Sequence, residues 1–160
     1  MAKFETIKTN NFPDVTDITV AEVLAQPAGH FVMVDCRSEA ESDVSGLPGT
    51  ITKEAALADP AGLLEGKHVV AYCGIGGRSG KFLANELPAD VASKCASVSN
   101  LAGSTIAWAH AGHPFIDLKT GEPTSRVHAG GEMWKPLYPA GLGPAASWAR
   151  PGRLRLRGTR

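Results

Sequence analysis

The sequence is short of cysteine, of long apolar runs and of net charge, and each shortage excludes a class of protein. Its three cysteines are too few, and odd in number, for the disulfide framework of a small secreted domain. No apolar run approaches the roughly 18 residues that a membrane-spanning helix needs, and the first ten residues lack the apolar stretch of a secretory signal. We therefore expect a protein of the reducing cytoplasm, in which any special cysteine serves chemistry.

Charge is balanced over the whole chain but is divided unevenly along it. Lys plus Arg and Asp plus Glu number 16 each, so net charge favours neither a nucleic acid nor a membrane as partner, and we expect neither. Residues 1–117 carry 8 basic and 14 acidic side chains, whereas residues 118–160 carry 8 and 2. The last 11 residues predict a solvated basic tail, with an anion-binding tail as the alternative. Its basic residues are Arg150, Arg153, Arg155, Arg157 and Arg160.

Residues 1–117 have the pattern of a single α/β domain. Apolar runs closed by polar residues predict buried strands, and they occupy residues 31–36, 68–73 and 96–101. Amphipathic stretches lie between these runs, as expected for helices that cover a sheet. Strands and helices therefore alternate along the chain, which predicts a mostly parallel sheet with right-handed crossovers.

Capping and breaking residues mark the helix ends. Thr19 with Glu22 has capping-box spacing, as has Ser38 with Glu41, so each pair predicts a helix start. Further helices are predicted over two segments that proline or glycine ends, residues 81–87 and 105–111.

The composition changes after residue 117. The final 43 residues hold 7 Gly and 5 Pro and show no sustained period, so we expect residues 118–160 to form a loop-rich basic extension rather than a second domain. Four large side chains are candidates to anchor this extension to the main body, namely Trp134, Leu137, Tyr138 and Trp148.

The segment that carries chemistry is residues 72–80, YCGIGGRSG. A predicted strand ends at Cys73, glycines follow, and a helix is predicted to begin near Ser79. Ligands usually bind at this edge of a parallel sheet, and glycines let backbone N–H groups converge on an anion. The helix start and Arg78 add positive charge. Because all of these neighbours favour a thiolate, they predict a nucleophilic sulfur at Cys73.

Three interpretations compete for this loop. A cysteine at a strand end is more often a small buried residue, but the glycines, the arginine and the helix start around it favour a function. A dinucleotide-binding fingerprint fits Gly74 and Gly76, but Ser79 stands where its third glycine belongs, and no acid closes a following strand. We therefore favour the third interpretation, a cysteine-based site for a small anion.

Three motifs in order resemble the rhodanese domains, the sulfurtransferases that carry sulfur as a cysteine persulfide. Residues 73–79, C-x-x-G-x-R-S, resemble the active-site loop of that family. Residues 34–41 and then 46–50 are similar to its Asp-x-Arg segment and the glycine-proline turn that follows. Residues 101–114 are similar to the segment that closes the domain. The resemblance covers about residues 14–117, and the extension lies outside it.

The resemblance implies a rhodanese-like α/β fold, with a central, mainly parallel five-stranded sheet flanked by helices on both faces. It implies that Cys73 takes a sulfur atom from a donor such as thiosulfate and passes it to cyanide or a thiol in a ping-pong reaction. Arg78 would hold the incoming anion and favour the thiolate. The N–H groups that would bind the persulfide belong to Gly74, Ile75, Gly76, Gly77 and Ser79. No cofactor is implied, and no Cys or His spacing predicts a metal site.

Two other functions stay open. A persulfide carrier would use the same loop without turnover and hand the sulfur to a protein partner, with the basic tail docked on an acidic surface. A cysteine phosphatase, which would resemble the dual-specificity phosphatases, keeps five residues between its cysteine and arginine. Only four residues separate Cys73 from Arg78, and this shorter loop suits one sulfur atom better than a phosphate.

Glu41 bears on the sulfur donor, because some thiosulfate-using relatives have a basic residue at its position. A protein persulfide or a low-molecular-weight persulfide is therefore an alternative donor.

Other polar residues near the predicted strand ends receive a structural interpretation. Asp35 and Arg37 share one face of a strand end, and we expect them to pair and tie the crevice together, with substrate contact as the alternative. Cys36 and Cys95 are expected to be small buried residues, and either is a candidate resolving thiol for a persulfide on Cys73. Trp108 is expected to pack in the core.

Overall fold

Five parallel strands form the central sheet. The structure, a computed structural model, describes residues 1–142. In chain order the strands are β1 (Asp17–Ile18), β2 (Phe31–Asp35), β3 (Thr50–Thr52), β4 (His68–Tyr72) and β5 (Ser97–Leu101). Across the sheet their order is β1-β5-β4-β2-β3, and each neighbouring pair is parallel. The predicted five-stranded α/β fold is confirmed.

Eight α-helices lie within the described residues. They are α1 (Ala2–Asn11), α2 (Val20–Leu24), α3 (Glu39–Ser42), α4 (Lys53–Ala58), α5 (Pro60–Leu63), α6 (Gly77–Lys81), α7 (Ala89–Ala92) and α8 (Ser104–His110). Capping boxes are present at Thr19 and at Ser38, as predicted.

One predicted helix is present but begins earlier than expected. The helix expected over residues 81–87 begins earlier, at Gly77, because Gly76 adopts a left-handed conformation and starts the first turn directly after the strand. Its second half is a π-helical turn, Phe82–Glu86. There the N–H of Leu87 bonds to the carbonyl of Phe82, five residues back, just before the proline that ends the segment.

Alternate residues of the strands face two cores, one on each side of the sheet. The first core holds Met33, Val70, Tyr72 and Leu101 of the strands together with Val20 and Trp108. Trp108 is thus in the core, as expected. The second core holds Val34, Cys36, Ala71 and Cys73 together with Ala56, Leu64 and Phe82. Because both faces bury apolar side chains, the central strands are continuous apolar runs in the sequence.

The described part of the extension packs on the first core. At the start of the extension, β7 (Pro123–Thr124) pairs antiparallel with β6 (Phe115–Ile116), which precedes the extension. A 3₁₀ turn, Lys135–Leu137, lies near the end of the described residues. Val127, Ala129 and Tyr138 are buried in the core that contains Trp108. Of the four predicted anchors, Tyr138 is thus buried, whereas Trp148 and the five tail arginines lie outside the described residues.

The N-terminal helix α1 is an element that the sequence did not predict. Phe4 and Phe12 bury its inner side against Ile75 and Ala102. The aromatic ring of Phe12 occupies the space that a side chain at Gly80 would need. No helix among residues 1–142 is both long and apolar enough to cross a membrane.

Candidate active site

Cys73 directly follows β4 and is only 2% exposed. Its N–H donates to Ser104 Oγ at 3.1 Å, and its carbonyl accepts from the N–H of Thr105 at 3.2 Å. Ser104 adopts a positive φ of 46°, which is unusual for a residue with a side chain, and its hydroxyl also donates to the Leu101 carbonyl. The start of α8 therefore fixes the backbone that carries the thiol.

Hydrogen-bond donors from the glycine loop converge on the Cys73 sulfur. The N–H of Gly76 lies 3.2 Å from Sγ, and the hydroxyl of Ser79 lies 3.6 Å from it. Gly76 has a φ of 105°, and a Cβ there would lie 2.6 Å from Phe4 Cε2. Only glycine allows this turn with α1 packed against it.

The same surroundings make Cys73 acidic. Burial by itself disfavours a thiolate, but the N–H and hydroxyl of Ser79, the charge of Arg78 and the N–H of Gly76 together outweigh it. The pKa of Cys73 is therefore lowered from its ordinary value. A thiolate is the form of cysteine that attacks electrophilic sulfur.

A polar chain behind the sulfur orients Ser79. Its hydroxyl lies 2.7 Å from Asn100 Oδ1, and the amide of Asn100 donates to Asp17 Oδ1 at 3.1 Å. A hydroxyl can donate only one hydrogen bond at a time, and the Ser79 hydroxyl donates mainly to Asn100 Oδ1, which is closer than the Cys73 sulfur. The N–H groups of the loop are consequently the steadier donors to the Cys73 sulfur.

Arg78 is paired with Glu41 at the mouth of the site. Its Nη1 and Nη2 each lie 2.7 Å from a different oxygen of that carboxylate. The capping box at Ser38 orients Glu41 for this contact, because the Ser38 N–H donates to the same carboxylate. Burial would raise the pKa of Glu41, but the bonds from Arg78 and Ser38 prevail and lower it to about 2. The arginine predicted to bind an anion is thus already bound to one.

A cavity of about 450 Å³ opens beside the thiol. It is lined by Cys73, Gly74, Ile75, Gly77, Arg78 and Lys81, by Ile7 and Asn11 of α1, and by Ala129, Gly130 and Trp134 of the extension. Lys3 lies over the ring of Trp134, 5.3 Å from its centroid, so α1 and the extension meet beside this cavity. Segments from near both ends of the described chain therefore form its walls.

Gly130 brings the extension against the ion pair. Its φ is 76°, and a Cβ built there would lie 3.1 Å from Glu41 Oε1. The backbone of the extension thus covers one side of the Glu41–Arg78 pair.

Asp35 and Arg37 form a separate, fully buried pair. Arg37 Nη2 and Nε bind the Asp35 carboxylate at 2.6 and 2.9 Å, and Nη2 also donates to the Ser45 carbonyl. Tyr72 and Ser42 donate to the same carboxylate. The expected pairing is present; neither member lines the cavity with Cys73, but both line a second cavity of about 570 Å³, so their structural role stays a prediction.

The structure brings most of the predicted site residues together. Cys73, Gly74, Ile75, Gly77 and Arg78 share the cavity, while Gly76 and Ser79 lie against the sulfur. Their roles in catalysis stay predictions. Sequence reasoning did not identify Asn100 or Ser104 as site residues. It named Trp134 only as an anchor of the extension and not as part of the site. The expectation that Cys95 is buried is wrong: it is only partly buried, in the turn between α7 and β5.

No protein-family model matches the chain, and no curated protein matches it. Among solved structures, a thiosulfate sulfurtransferase from Pseudomonas aeruginosa matches 76% of this chain at 24% identity, with a TM-score of 0.52. The match covers 23% of that protein, so this chain spans less than a quarter of its length.

Two further solved structures are similar over most of their own length. A rhodanese-like domain protein from Staphylococcus aureus matches over 58% of this chain and 90% of that one, at 20% identity and a TM-score of 0.44. A protein from Rhodopseudomonas palustris, described as of unknown function and a possible tyrosine phosphatase, matches over 71% and 91%, at 27% identity and a TM-score of 0.49. The Pseudomonas match and the order of the five parallel strands confirm the resemblance at the level of the fold: the chain has a rhodanese-like fold.

Proposed function

We propose that this chain is a sulfurtransferase that moves sulfane sulfur through a persulfide on Cys73. One observation carries the proposal: the buried Cys73 sulfur faces the N–H of Gly76 and the donors of Ser79, and its pKa is lowered although it is buried. Buried anions are costly unless donors surround them. A site that stabilises one sulfur anion is suited to hold a second sulfur atom on it.

The proposed reaction has two displacement steps. The Cys73 thiolate attacks the outer sulfur of the donor, and the remainder of the donor leaves with the bonding electrons, as sulfite in the case of thiosulfate. A thiol or cyanide then attacks the outer sulfur of the persulfide, and Cys73 leaves as a thiolate. The N–H groups of Gly76 and Ser79 are hydrogen-bonded to the Cys73 sulfur, so both are placed to stabilise the charge in both steps.

The packing of the loop supports sulfur transfer over phosphate hydrolysis. Phe4 lies against Gly76 and Phe12 lies against Gly80, and a Cβ at either glycine would come within 2.6 Å of a ring carbon. The loop is therefore closely packed on this side, which supports the four-residue spacing between Cys73 and Arg78 as a cradle for one sulfur atom.

The Glu41–Arg78 pair bears on the donor. Thiosulfate carries two negative charges, and the nearest arginine already has a carboxylate partner. Three apolar side chains, Ile7, Ile75 and Trp134, line the same cavity. We therefore propose a thiol persulfide, free or on a protein, as the preferred donor. All three cysteines are free thiols, consistent with the reducing cytoplasm that we propose as the setting.

The same observation favours a persulfide carrier as the second candidate function. A carrier takes up sulfur from a protein donor but turns over slowly with small acceptors. Loading from a persulfide without sustained thiocyanate formation from cyanide would favour this candidate over the enzyme.

The test is steady-state sulfur transfer from a low-molecular-weight thiol persulfide to cyanide. We expect ping-pong kinetics, and we expect Cys73→Ser to lose activity by on the order of 10³-fold or more, with an unchanged circular dichroism spectrum. Cys95→Ser is the matched control and keeps its activity. Wild-type turnover in Cys73→Ser contradicts the proposal, and so does release of phosphate from an aryl phosphate in the absence of any sulfur transfer.

A further inference from the structure

We propose that Cys36 is a resolving thiol for Cys73: it attacks the persulfide at its inner sulfur, closes a Cys36–Cys73 disulfide and releases sulfide. This inference rests on the proposed persulfide at Cys73. It adds to sulfur transfer a second activity, the reduction of sulfane sulfur to sulfide by the protein's own two thiols.

The strand register places the two cysteines side by side. In the parallel pair β2–β4, Val34 is opposite Ala71 and Asp35 is opposite Tyr72. The ladder continues for one more bond, from the N–H of Cys36 to the Tyr72 carbonyl at 2.9 Å. Cys36 and Cys73 are the next residues on the two chains. Neighbouring strands lie about 4.8 Å apart, and disulfides join residues whose Cα atoms lie about 4.4–6.8 Å apart.

Both thiols also point to the same side of the sheet. Asp35 and Tyr72 bond to each other on one face, so the next residues project from the other face. Cys36 and Cys73 accordingly belong to one buried core cluster with Val34 and Ala71. Cys36 is 7% exposed and does not line the cavity that Cys73 borders, so the adjacent Cys73 is the redox partner within its reach.

The electrons and atoms of the step balance. The sulfur of Cys36 forms a bond to the Cys73 Sγ, and the bond from that Sγ to the outer sulfur breaks. The outer sulfur leaves with the bonding pair as hydrosulfide and takes the proton that Cys36 gives up. The two cysteine thiols are oxidised to a disulfide and the sulfane sulfur is reduced. An external thiol then reduces the disulfide and returns the protein to its starting state.

The surroundings of Cys36 make the step slow enough for transfer to compete. Burial raises the pKa of Cys36, and so do the nearby negative charges of Cys73, Asp35 and Glu86. The positive charge of Lys53 offsets this rise only in part. At neutral pH nearly all of Cys36 is therefore the protonated thiol, a poor nucleophile. An acceptor that enters the cavity removes the sulfur first, and sulfide is released when no acceptor arrives.

Cys95 provides an internal control. It precedes β5 at the end of the sheet where His68 pairs with Ser97, whereas Cys73 lies at the opposite end of β4. Five residues of strand separate the two ends, roughly 16 Å at about 3.3 Å per residue. Cys95 is therefore too far from Cys73 to close a disulfide without unfolding the sheet.

The experiment is an intact-mass and sulfide measurement under anaerobic conditions. Reduced protein is treated with one equivalent of a low-molecular-weight thiol persulfide, with no acceptor present. We expect the wild type and Cys95→Ser to lose two hydrogens and release sulfide, with a single disulfide-linked peptide pair containing Cys36 and Cys73. We expect Cys36→Ser to keep one extra sulfur atom, which cyanide removes, and to release no sulfide.

The outcomes separate the two proposals. A Cys36→Ser variant that folds and gains no sulfur contradicts the persulfide function itself. A wild type that keeps its extra sulfur as long as Cys36→Ser does overturns the resolving role and leaves the persulfide function intact. The peptide map of the wild-type protein needs no variant, so it decides the question even where Cys36→Ser folds poorly.

Discussion

Two arginine–carboxylate pairs stand near the carboxyl ends of the strands, and they differ chiefly in burial. In the Asp35–Arg37 pair both side chains are 0% exposed. In the Glu41–Arg78 pair the carboxylate is 5% exposed, but the arginine is 47% exposed. Both pairs are bidentate, with contacts between 2.6 and 2.9 Å.

The difference shows that the surroundings, rather than the pairing, decide what such a pair does. Arg37 also binds the Ser45 carbonyl, while Tyr72 and Ser42 donate to Asp35. Most polar atoms of this pair are thus bonded within the fold, and only Nη1 of Arg37 is left without a partner among the described residues. Arg78 lines the cavity beside the thiol, and its guanidinium is half exposed although it is paired with Glu41. We therefore expect the first pair to stabilise the fold, and we expect the second, which borders the cavity, to be the one that affects substrate binding.

The largest effect is expected where the buried pair is broken. Asp35→Asn leaves a fully buried guanidinium without its counter-charge, and we expect a loss of about 3–5 kcal/mol in the free energy of unfolding. Urea unfolding followed by circular dichroism measures it. Asp43→Asn, at a half-exposed carboxylate, is the control. A loss in Asp35→Asn no larger than that of the control would remove the distinction between the pairs.

At the mouth of the site we expect a substitution of Glu41 to lower the stability by an intermediate amount and to improve the binding of thiosulfate. Glu41→Gln removes the charge that holds Arg78, and we expect a loss of about 1–2 kcal/mol, discounted because the arginine is half exposed to solvent. The released arginine then attracts the donor dianion, so the KM for thiosulfate falls. Steady-state kinetics measure the fall, and an unchanged KM would show that Arg78 does not contact the donor.

The difference in stability between the wild type and Glu41→Gln is expected to depend on pH, because the pKa of Glu41 is lowered. Its pKa in the folded protein, about 2, lies below the ordinary 4.5, so its stabilising contribution is complete above pH 4.5 and is lost as the pH falls towards 2. The stability difference between the wild type and Glu41→Gln is therefore expected to be constant above pH 4.5 and to shrink below it. A difference that persists at pH 2 would contradict the assignment.

The smallest effect is expected at an exposed pair. Lys119 and Asp43 are 3.2 Å apart, but their side chains are 70% and 54% exposed. We expect Lys119→Ala to change the free energy of unfolding by no more than about 0.5 kcal/mol. The three pairs then form a series in which burial sets the size of the effect, and a clear loss in Lys119→Ala would break that series.

Local signals predicted the parts of this molecule that local physics determines. Continuous apolar runs marked β2, β4 and β5, and residue types at fixed spacing marked the capping boxes at Thr19 and Ser38. The loop at Cys73 was recognisable because its glycines, arginine and helix start all lie within nine residues.

Contacts between distant segments were not predictable in the same way. The capping box marked Glu41 as the start of a helix, but nothing nearby indicates that its carboxylate reaches Arg78, 37 residues along the chain. Asn100 and Ser104 look like ordinary polar residues until the fold brings them behind Cys73. The helix α1 has one buried aromatic anchor, Phe4, and Phe12 directly follows it, so tertiary packing rather than a clear apolar stripe stabilises the helix.

Residues from both early and late in the chain, Ile7 and Trp134, line the cavity, and this has a consequence for biosynthesis. During translation the thiol emerges from the ribosome well before Ala129, Gly130 and Trp134 do. A nascent chain that has not reached these residues lacks that part of the cavity lining. We therefore expect the cavity beside Cys73 to be complete only once Trp134 has been synthesised and packed against the domain.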